Sequence, residues 1–132
     1  ITPGDAIYLS ITSSFNWTVC GVDTGAQLSF NYNTPPKTNI MLINLPPTSE
    51  YMTASDIVMD LEGALIGPGL ATKINVVGMW NPATQSSVTF FFDEIYEEWV
   101  GADFTILPGS GIYISITSSF NWTPELITPV VP

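Results

Sequence analysis

The chain of 132 residues is the size of one domain, and its 45% content of apolar residues is enough to form one hydrophobic core. Its 12 acidic residues outnumber the 2 basic ones and give a net charge of -10, which excludes nucleic acid and anionic membrane surfaces as partners. One cysteine and no histidine exclude an intrachain disulfide, a thiolate metal cluster and histidine-dependent catalysis, and the longest apolar runs are far shorter than the roughly 20 residues that span a membrane.

The first predicted element is a strand near the N-terminus. Apolar residues alternate there with Ser, Thr and Asn, which predicts a strand with one buried face, and Pro3-Gly4 supplies the turn that precedes it. The side chains expected to point inward are Ile7, Leu9, Ile11, Phe15 and Trp17.

The same sequence returns near the other end of the chain. Residues 1–18 read ITPGDAIYLSITSSFNWT and residues 106–123 read ILPGSGIYISITSSFNWT, with 14 of the 18 positions identical and a constant offset of 105. We call residues 1–18 the N-copy and residues 106–123 the C-copy. The inward side chains of the C-copy are expected to be Ile112, Ile114, Ile116, Phe120 and Trp122.

A period of 105 residues is close to the commonest domain size, which predicts a tandem array of whole domains. Residues 1–18 would then be the last strand of a preceding repeat, available for donation or swapping to a neighbour. Residues 19–123 would form one complete unit, and residues 124–132 would be a connector. The alternative interpretation is one ordinary domain in which a single hairpin has been duplicated.

Two apolar patterns follow the N-copy. Residues 27–33 alternate, with Leu28, Phe30 and Tyr32 inward, and predict a strand with one solvated face. Residues 40–45 are almost all apolar, which predicts a central strand covered on both faces.

A short helix is predicted over about residues 54–62. Residues 53–56 (TASD) have the pattern of a capping box, and Gly63 is a suitable end for the helix.

The remaining pattern is one of short strands and turns. Residues 73–80 and 86–93 predict a hairpin, and residues 97–100 a further short strand. Together with 11 Pro and 10 Gly, these elements predict a mainly β, two-layer domain resembling a β-sandwich, with one short helix.

The densest group of acidic side chains is formed by Asp93, Glu94, Glu97 and Glu98, with Asp103 nearby. Clustered carboxylates suit a hard cation such as Ca²⁺, but the ordered ligand spacing of a calcium loop is missing. We therefore expect a solvated acidic surface, with no metal and no cofactor. Nothing in the chain forms a convincing catalytic pair, so we expect no enzyme.

Asn16 and Asn121 each begin an Asn-Trp-Thr glycosylation sequon, and the alternation places both on the outward face of their strands. We expect both to be open to glycosylation if the chain is secreted.

Aromatic side chains raise a second hypothesis for function, a carbohydrate-binding or adhesive module. Trp17 and Trp122 fall on the inward pattern, so core packing accounts for them. Tyr96 and Trp99, beside the acidic cluster, are the pair predicted to contact a ligand under this hypothesis.

Several short stretches between residues 40 and 123 resemble the repeats of large secreted surface proteins of archaea and some bacteria. They are Leu45-Pro46, residues 53–56 (TASD), residues 80–85 (WNPATQ), residues 101–104 (GADF) and residues 108–113 (PGSGIY). The resemblance implies an extracellular or cell-surface location and a bead in a filament or surface array. It carries over no catalytic residue.

Composition, duplication and resemblance together predict a structural subunit of an extracellular filament or surface array. Its partners would be copies of itself or adjacent repeats, held by strand pairing or exchange and by apolar contacts.

Overall fold

The computed structural model describes residues 9–16, 27–35, 37, 39–45, 50–107 and 110–125. Its elements, in chain order, are β1 (Leu28–Phe30), β2 (Ile40–Asn44), α1 (Ala54–Glu62), β3 (Ile74–Asn81), β4 (Ser86–Asp93), β5 (Glu98–Gly101), β6 (Gly111–Ile116) and β7 (Phe120–Trp122). The prediction of a mainly β, sandwich-like domain with one short helix is confirmed.

The strands form two antiparallel sheets. One has five strands in the order β2-β6-β3-β4-β5, and the other pairs β1 with β7. β6 lies between β2 and β3, although it follows both of them by many residues in the chain. The centre of the larger sheet is therefore completed by a segment that is distant in sequence.

The hydrophobic core lies between the inner face of the five-stranded sheet, the helix and β7. Three isoleucines of β6 supply its centre, with Ile112 1%, Ile114 0% and Ile116 2% exposed. Helix α1 packs against this layer through its buried side chains Ala54, Ile57, Val58 and Leu61. Burial of each large side chain contributes about 1.5–3 kcal/mol, so β6 is a major source of stability.

Helix α1 begins and ends where the sequence predicts. An Asp56 carboxylate oxygen accepts the backbone N–H of Thr53 at 2.9 Å and that of Met52 at 2.8 Å, so it satisfies donors that the helix leaves free. Gly63 ends the helix with a φ of 85°, and its N–H donates to the carbonyl oxygen of Met59 at 3.0 Å.

The two outermost strands of the larger sheet differ from each other. β5 is covered, because the N–H of Trp99 donates to the carbonyl oxygen of Leu65 and the N–H of Gly67 to that of Glu97, both at 2.8 Å. β2 is the terminal strand at the opposite end, and Leu42 is 54% exposed. The prediction of a central strand covered on both faces was therefore wrong for residues 40–45, because β6 takes the central place.

The N-copy does not form the predicted strand within residues 9–16. Leu9 is 52% exposed, Ile11 62% and Phe15 59%, so these side chains do not point into the core of this unit as the alternation predicted, and their contact with a neighbouring unit stays a prediction. Ile7 and Trp17 lie outside the described residues. The physical reason is that the C-copy already fills the place in the sheets that this sequence suits.

The outer face of the larger sheet has one close backbone approach. The ring of Tyr113 on β6 lies over Gly78 on β3, so close that a Cβ atom at position 78 would overlap the ring. Glycine at this position thus lets an aromatic side chain lie flat across the neighbouring strand.

Gly78→Ala should destabilise the fold, because its methyl group forces Tyr113 out of position. Overpacking of this kind costs about 1–3 kcal/mol, measurable as a lower free energy of unfolding in urea. In a Tyr113→Ser chain the same substitution should cost much less, because the ring is gone. Equal losses in the two backgrounds would contradict the contact.

Candidate functional site

The candidate site is the place in the fold that the C-copy fills, which we call the β6–β7 slot. β2 and β3 form the two sides of its first half, and β1 pairs with its second half. Ile114 faces Met41 on β2 and Val77 on β3, and Tyr113 faces Gly78. The slot therefore selects a strand with an apolar inner face and an aromatic ring on its outer face.

Hydroxyl groups fix the turn between the two halves of the slot. The side chains of Thr117 and Ser118 donate to the carbonyl oxygens of residues 71–72, at 2.8 and 2.6 Å. The hydroxyl oxygen of Ser119 accepts the backbone N–H of Tyr32 at 2.8 Å. Three consecutive hydroxyl side chains thus anchor the turn to the chain around it.

Aromatic side chains fill the second half of the slot. Phe120 stacks on Phe30, with ring centroids 4.8 Å apart. The indole N–H of Trp122 donates to Asp60 at 2.8 Å, and the Tyr51 hydroxyl donates to the same carboxylate oxygen at 2.5 Å. One carboxylate of helix α1 therefore holds β7 against the core.

Two groups at the end of β7 titrate away from their ordinary range. Burial raises the pKa of the Tyr51 phenol, and its hydrogen bond to Asp60 raises that pKa further. A hydrogen bond that the protonated Glu125 carboxyl donates to the Glu50 carboxylate raises the pKa of Glu125, and the negative charges of Glu50 and Asp60 act in the same direction. The residue 105 positions before Glu125 is Cys20, so the N-copy is not followed by a carboxylate at this point.

The N-copy carries a counterpart for each side chain of the C-copy that makes these contacts. The contact residues of the C-copy are Tyr113, Thr117, Ser118, Ser119, Phe120 and Trp122. Their counterparts at the 105-residue offset are Tyr8, Thr12, Ser13, Ser14, Phe15 and Trp17, and each is identical in type. The N-copy thus duplicates each hydrogen-bonding and aromatic side chain of this set.

The four positions at which the copies differ do not prevent the N-copy from fitting the slot. Leu107 is 65% exposed, Gly111 is exposed, and Ser110 lies in the loop before β6. The fourth position is in the core, where the N-copy has Leu9 in place of Ile114. An exchange of Leu for Ile usually costs less than about 1.5 kcal/mol, so the N-copy fits slightly less well.

The inward residues of the two copies, which the sequence predicts to make contacts between units, have different environments in the structure. In the C-copy, Ile112, Ile114, Ile116 and Trp122 are buried and Phe120 is half-buried. The described part of the N-copy lies outside both sheets. The duplication that points to this site is visible in the sequence. The sequence does not show which of the two copies fills the slot.

The residues predicted to contact a ligand do not form one surface. Trp99 is only 6% exposed and packs against Phe90 and Phe92, with ring centroids 5.7 and 5.9 Å apart. Tyr96 is 72% exposed in the turn after β4. The prediction for Trp99 was wrong, because its strand pairs with β4 and turns the indole into the core.

Two acidic side chains of the group around Tyr96, Asp93 and Asp103, have structural roles. A carboxylate oxygen of Asp93 accepts the backbone N–H groups of residues 95–96, which shapes the turn. Asp103 accepts both the backbone N–H and the hydroxyl of Ser55, at 2.8 and 2.7 Å, and so caps the start of helix α1. Within the described residues, no three acidic or cysteine side chains are placed to hold a metal ion.

Both sequon asparagines are exposed, Asn16 in the N-copy and Asn121 on β7. In β7, Asn121 lies between the half-buried Phe120 and the buried Trp122, so its outward orientation follows from the strand.

No protein-family model, curated protein or solved structure shows a significant match to the chain. The described part of the chain contains no helix with the length and apolar character needed to cross a membrane. The resemblance to surface-array repeats therefore stays a prediction.

Ionisation of Tyr51 should weaken the fold at alkaline pH. Its folded-state pKa is raised, so the fold favours the protonated phenol. The contribution of this phenol to the free energy of unfolding is therefore fully present below the ordinary tyrosine pKa of about 10 and is lost progressively as the pH rises above it. Urea unfolding measured from pH 8 to 11 should show a decline that Tyr51→Phe reduces. Tyr96→Phe, at an exposed position, is the matched control, and an equal effect of both substitutions would contradict the role of Tyr51.

Proposed function

We propose that the chain is a structural subunit, a bead, of an extracellular filament or cell-surface array. In this proposal the N-copy of one unit completes the β6–β7 slot of a neighbouring unit. The observation that carries it is the second set of slot-filling side chains in the sequence, whose described part, residues 9–16, lies outside the sheets with Leu9, Ile11 and Phe15 exposed.

Exposed apolar side chains give the N-copy a reason to bind. Leu9, Ile11 and Phe15 are each more than half exposed, whereas in the slot the counterparts of the first two, Ile114 and Ile116, are buried and that of Phe15 is half-buried. Removal of each large apolar side chain from water contributes about 1.5–3 kcal/mol. An unpaired apolar strand is also prone to aggregation, which favours a specific partner.

The number of slots restricts what that partner can be. Each chain has one slot and two copies, so exchange between two complete units leaves as many copies exposed as before. Such an exchange has no net driving force. The favoured partner is a unit whose slot is not filled by strands of its own. In such an array, each copy of the duplicated segment fills the slot of one bead.

The connection after the N-copy sets the spacing of the beads. Residues 18–27 separate Trp17 from the start of β1 at Leu28. Ten extended residues span at most about 36 Å, while a 100-residue domain has a radius of gyration of about 13 Å. Successive beads would therefore lie almost in contact, and exposed apolar side chains such as Leu42 and Trp80 could add to that contact.

Surface chemistry supports the proposed extracellular location. Charged residues make up 11% of the chain, and the outward positions of both copies carry mostly Ser, Thr and Asn, with one Tyr in each. Asn16 and Asn121 are exposed in glycosylation sequons, so glycans attached there would not disturb the core. Such glycans would suit a coat or fibre in contact with solvent.

A chain with an open slot should fold only when another chain supplies the N-copy. The acceptor for this test is the full chain with Leu9→Asp, Ile11→Asp, Ile114→Asp and Ile116→Asp, which disables both of its copies. Isotope-labelled acceptor should give the NMR spectrum of an unfolded chain alone and that of a folded chain after addition of the unlabelled wild-type chain. Light scattering should give a complex of two 14.3 kDa chains.

The matched donor carries only Leu9→Asp and Ile11→Asp, so its own fold is intact and its N-copy is disabled. It should not restore the acceptor. The proposal would be contradicted by an acceptor that stays unfolded with the wild-type chain, or one that folds equally well with the disabled donor.

A further inference from the structure

We infer that the N-copy also fits the slot of its own unit, so that the slot can be filled from either side of the sequence. The inference goes beyond assembly, but it rests on the same ability of the N-copy to occupy a slot that the proposed function assumes.

The pairing of β1 makes this second arrangement simple. β7 is antiparallel to β1, with Trp122 opposite Leu28 and Phe120 opposite Phe30. The N-copy in the same register would place Trp17 opposite Leu28. Because residues 18–27 join Trp17 directly to Leu28, the N-copy and β1 would form an ordinary antiparallel hairpin with a connection of ten residues.

The connection that leads to the C-copy costs about as much entropy to close as the one that follows the N-copy. Residues 102–110 lead from β5, at one end of the sheet, to β6, which lies beyond β4 and β3. The entropy of loop closure changes with the logarithm of loop length, so connections of nine and ten residues are nearly equivalent. Chain connectivity therefore does not reserve the slot for the C-copy.

Contacts inside the slot would be kept when the N-copy replaces the C-copy. Tyr8 would lie over Gly78 as Tyr113 does, and residues 12–14 would supply the three hydroxyl groups of the turn. The buried change is Leu9 in place of Ile114, which favours the C-copy. The C-copy occupies the slot in the structure, in agreement with that preference.

Filling of the slot by the N-copy would release the C-copy. Residues 106–123 would then expose Ile112, Ile114 and Ile116, which are the side chains that an open slot in a second copy of the chain binds. The copy that a bead leaves unbound would thus be either the N-copy or the C-copy.

The test uses the full chain with Ile114→Asp and Ile116→Asp, which disables the C-copy alone. We expect this variant to unfold cooperatively and to remain a monomer over a hundredfold range of concentration, because its own N-copy fills the slot. The chain with Leu9→Asp and Ile11→Asp should also fold, and the chain with all four substitutions should not. A C-copy variant as unfolded as the fourfold variant would overturn the inference.

The outcome also separates this inference from the proposed function. A C-copy variant that is unfolded alone but folds in a complex with the wild-type chain would overturn filling within one chain and support completion between chains. A variant that neither folds nor is restored would overturn both. Folding that depends on concentration would likewise overturn filling within one chain.

A second measurement uses a chain with an intact C-copy, in a Cys20→Ser background. Leu9→Cys with Val77→Cys should form a disulfide within the monomer in a redox buffer containing mild urea, because Leu9 would take the place of Ile114 opposite Val77. Ser10→Cys with Val77→Cys is the control, since Ser10 would point to the other face of the sheet. Equal disulfide yields in the two chains, or no disulfide in either, would overturn the inference.

Discussion

The fold depends on a strand in the middle of the five-stranded sheet. β6 is the sheet partner of β2 among the described strands, and its other side pairs with β3. Three fully buried isoleucines and the ring of Tyr113 over Gly78 make this place selective. A domain built in this way is complete only when the right strand occupies its centre, and this chain contains that strand twice.

Local signals in the sequence predicted the local structure well. Asp56 and Gly63 mark the ends of helix α1, and both act through contacts within a few residues of the helix. The alternation of the C-copy predicted its buried face, since Ile112, Ile114 and Ile116 are in the core. The ends of the helix are decided by nearby residues, and the alternation shows which face of the strand is buried once the strand is in the sheet.

Pairing between distant segments decided what the sequence could not predict. Residues 40–45 are apolar enough for a central strand but lie at the end of the sheet, and Trp99 is buried because of its pairing with β4. The two copies are the clearest case, because Leu9 and Ile11 are exposed while their counterparts Ile114 and Ile116 are buried. No local pattern distinguishes them, and Leu9 in place of Ile114 is a small difference between two competitors for one slot.

The central claim is that the N-copy has all it needs to occupy a β6–β7 slot. NMR contacts between the ring protons of Tyr8 and the α-protons of Gly78, recorded on the chain with Ile114→Asp and Ile116→Asp, test it most directly. The account predicts these contacts, either within one chain or between a labelled and an unlabelled chain. Their absence from a folded sample in which residues 7–17 exchange their amide protons as fast as an unfolded peptide would contradict it.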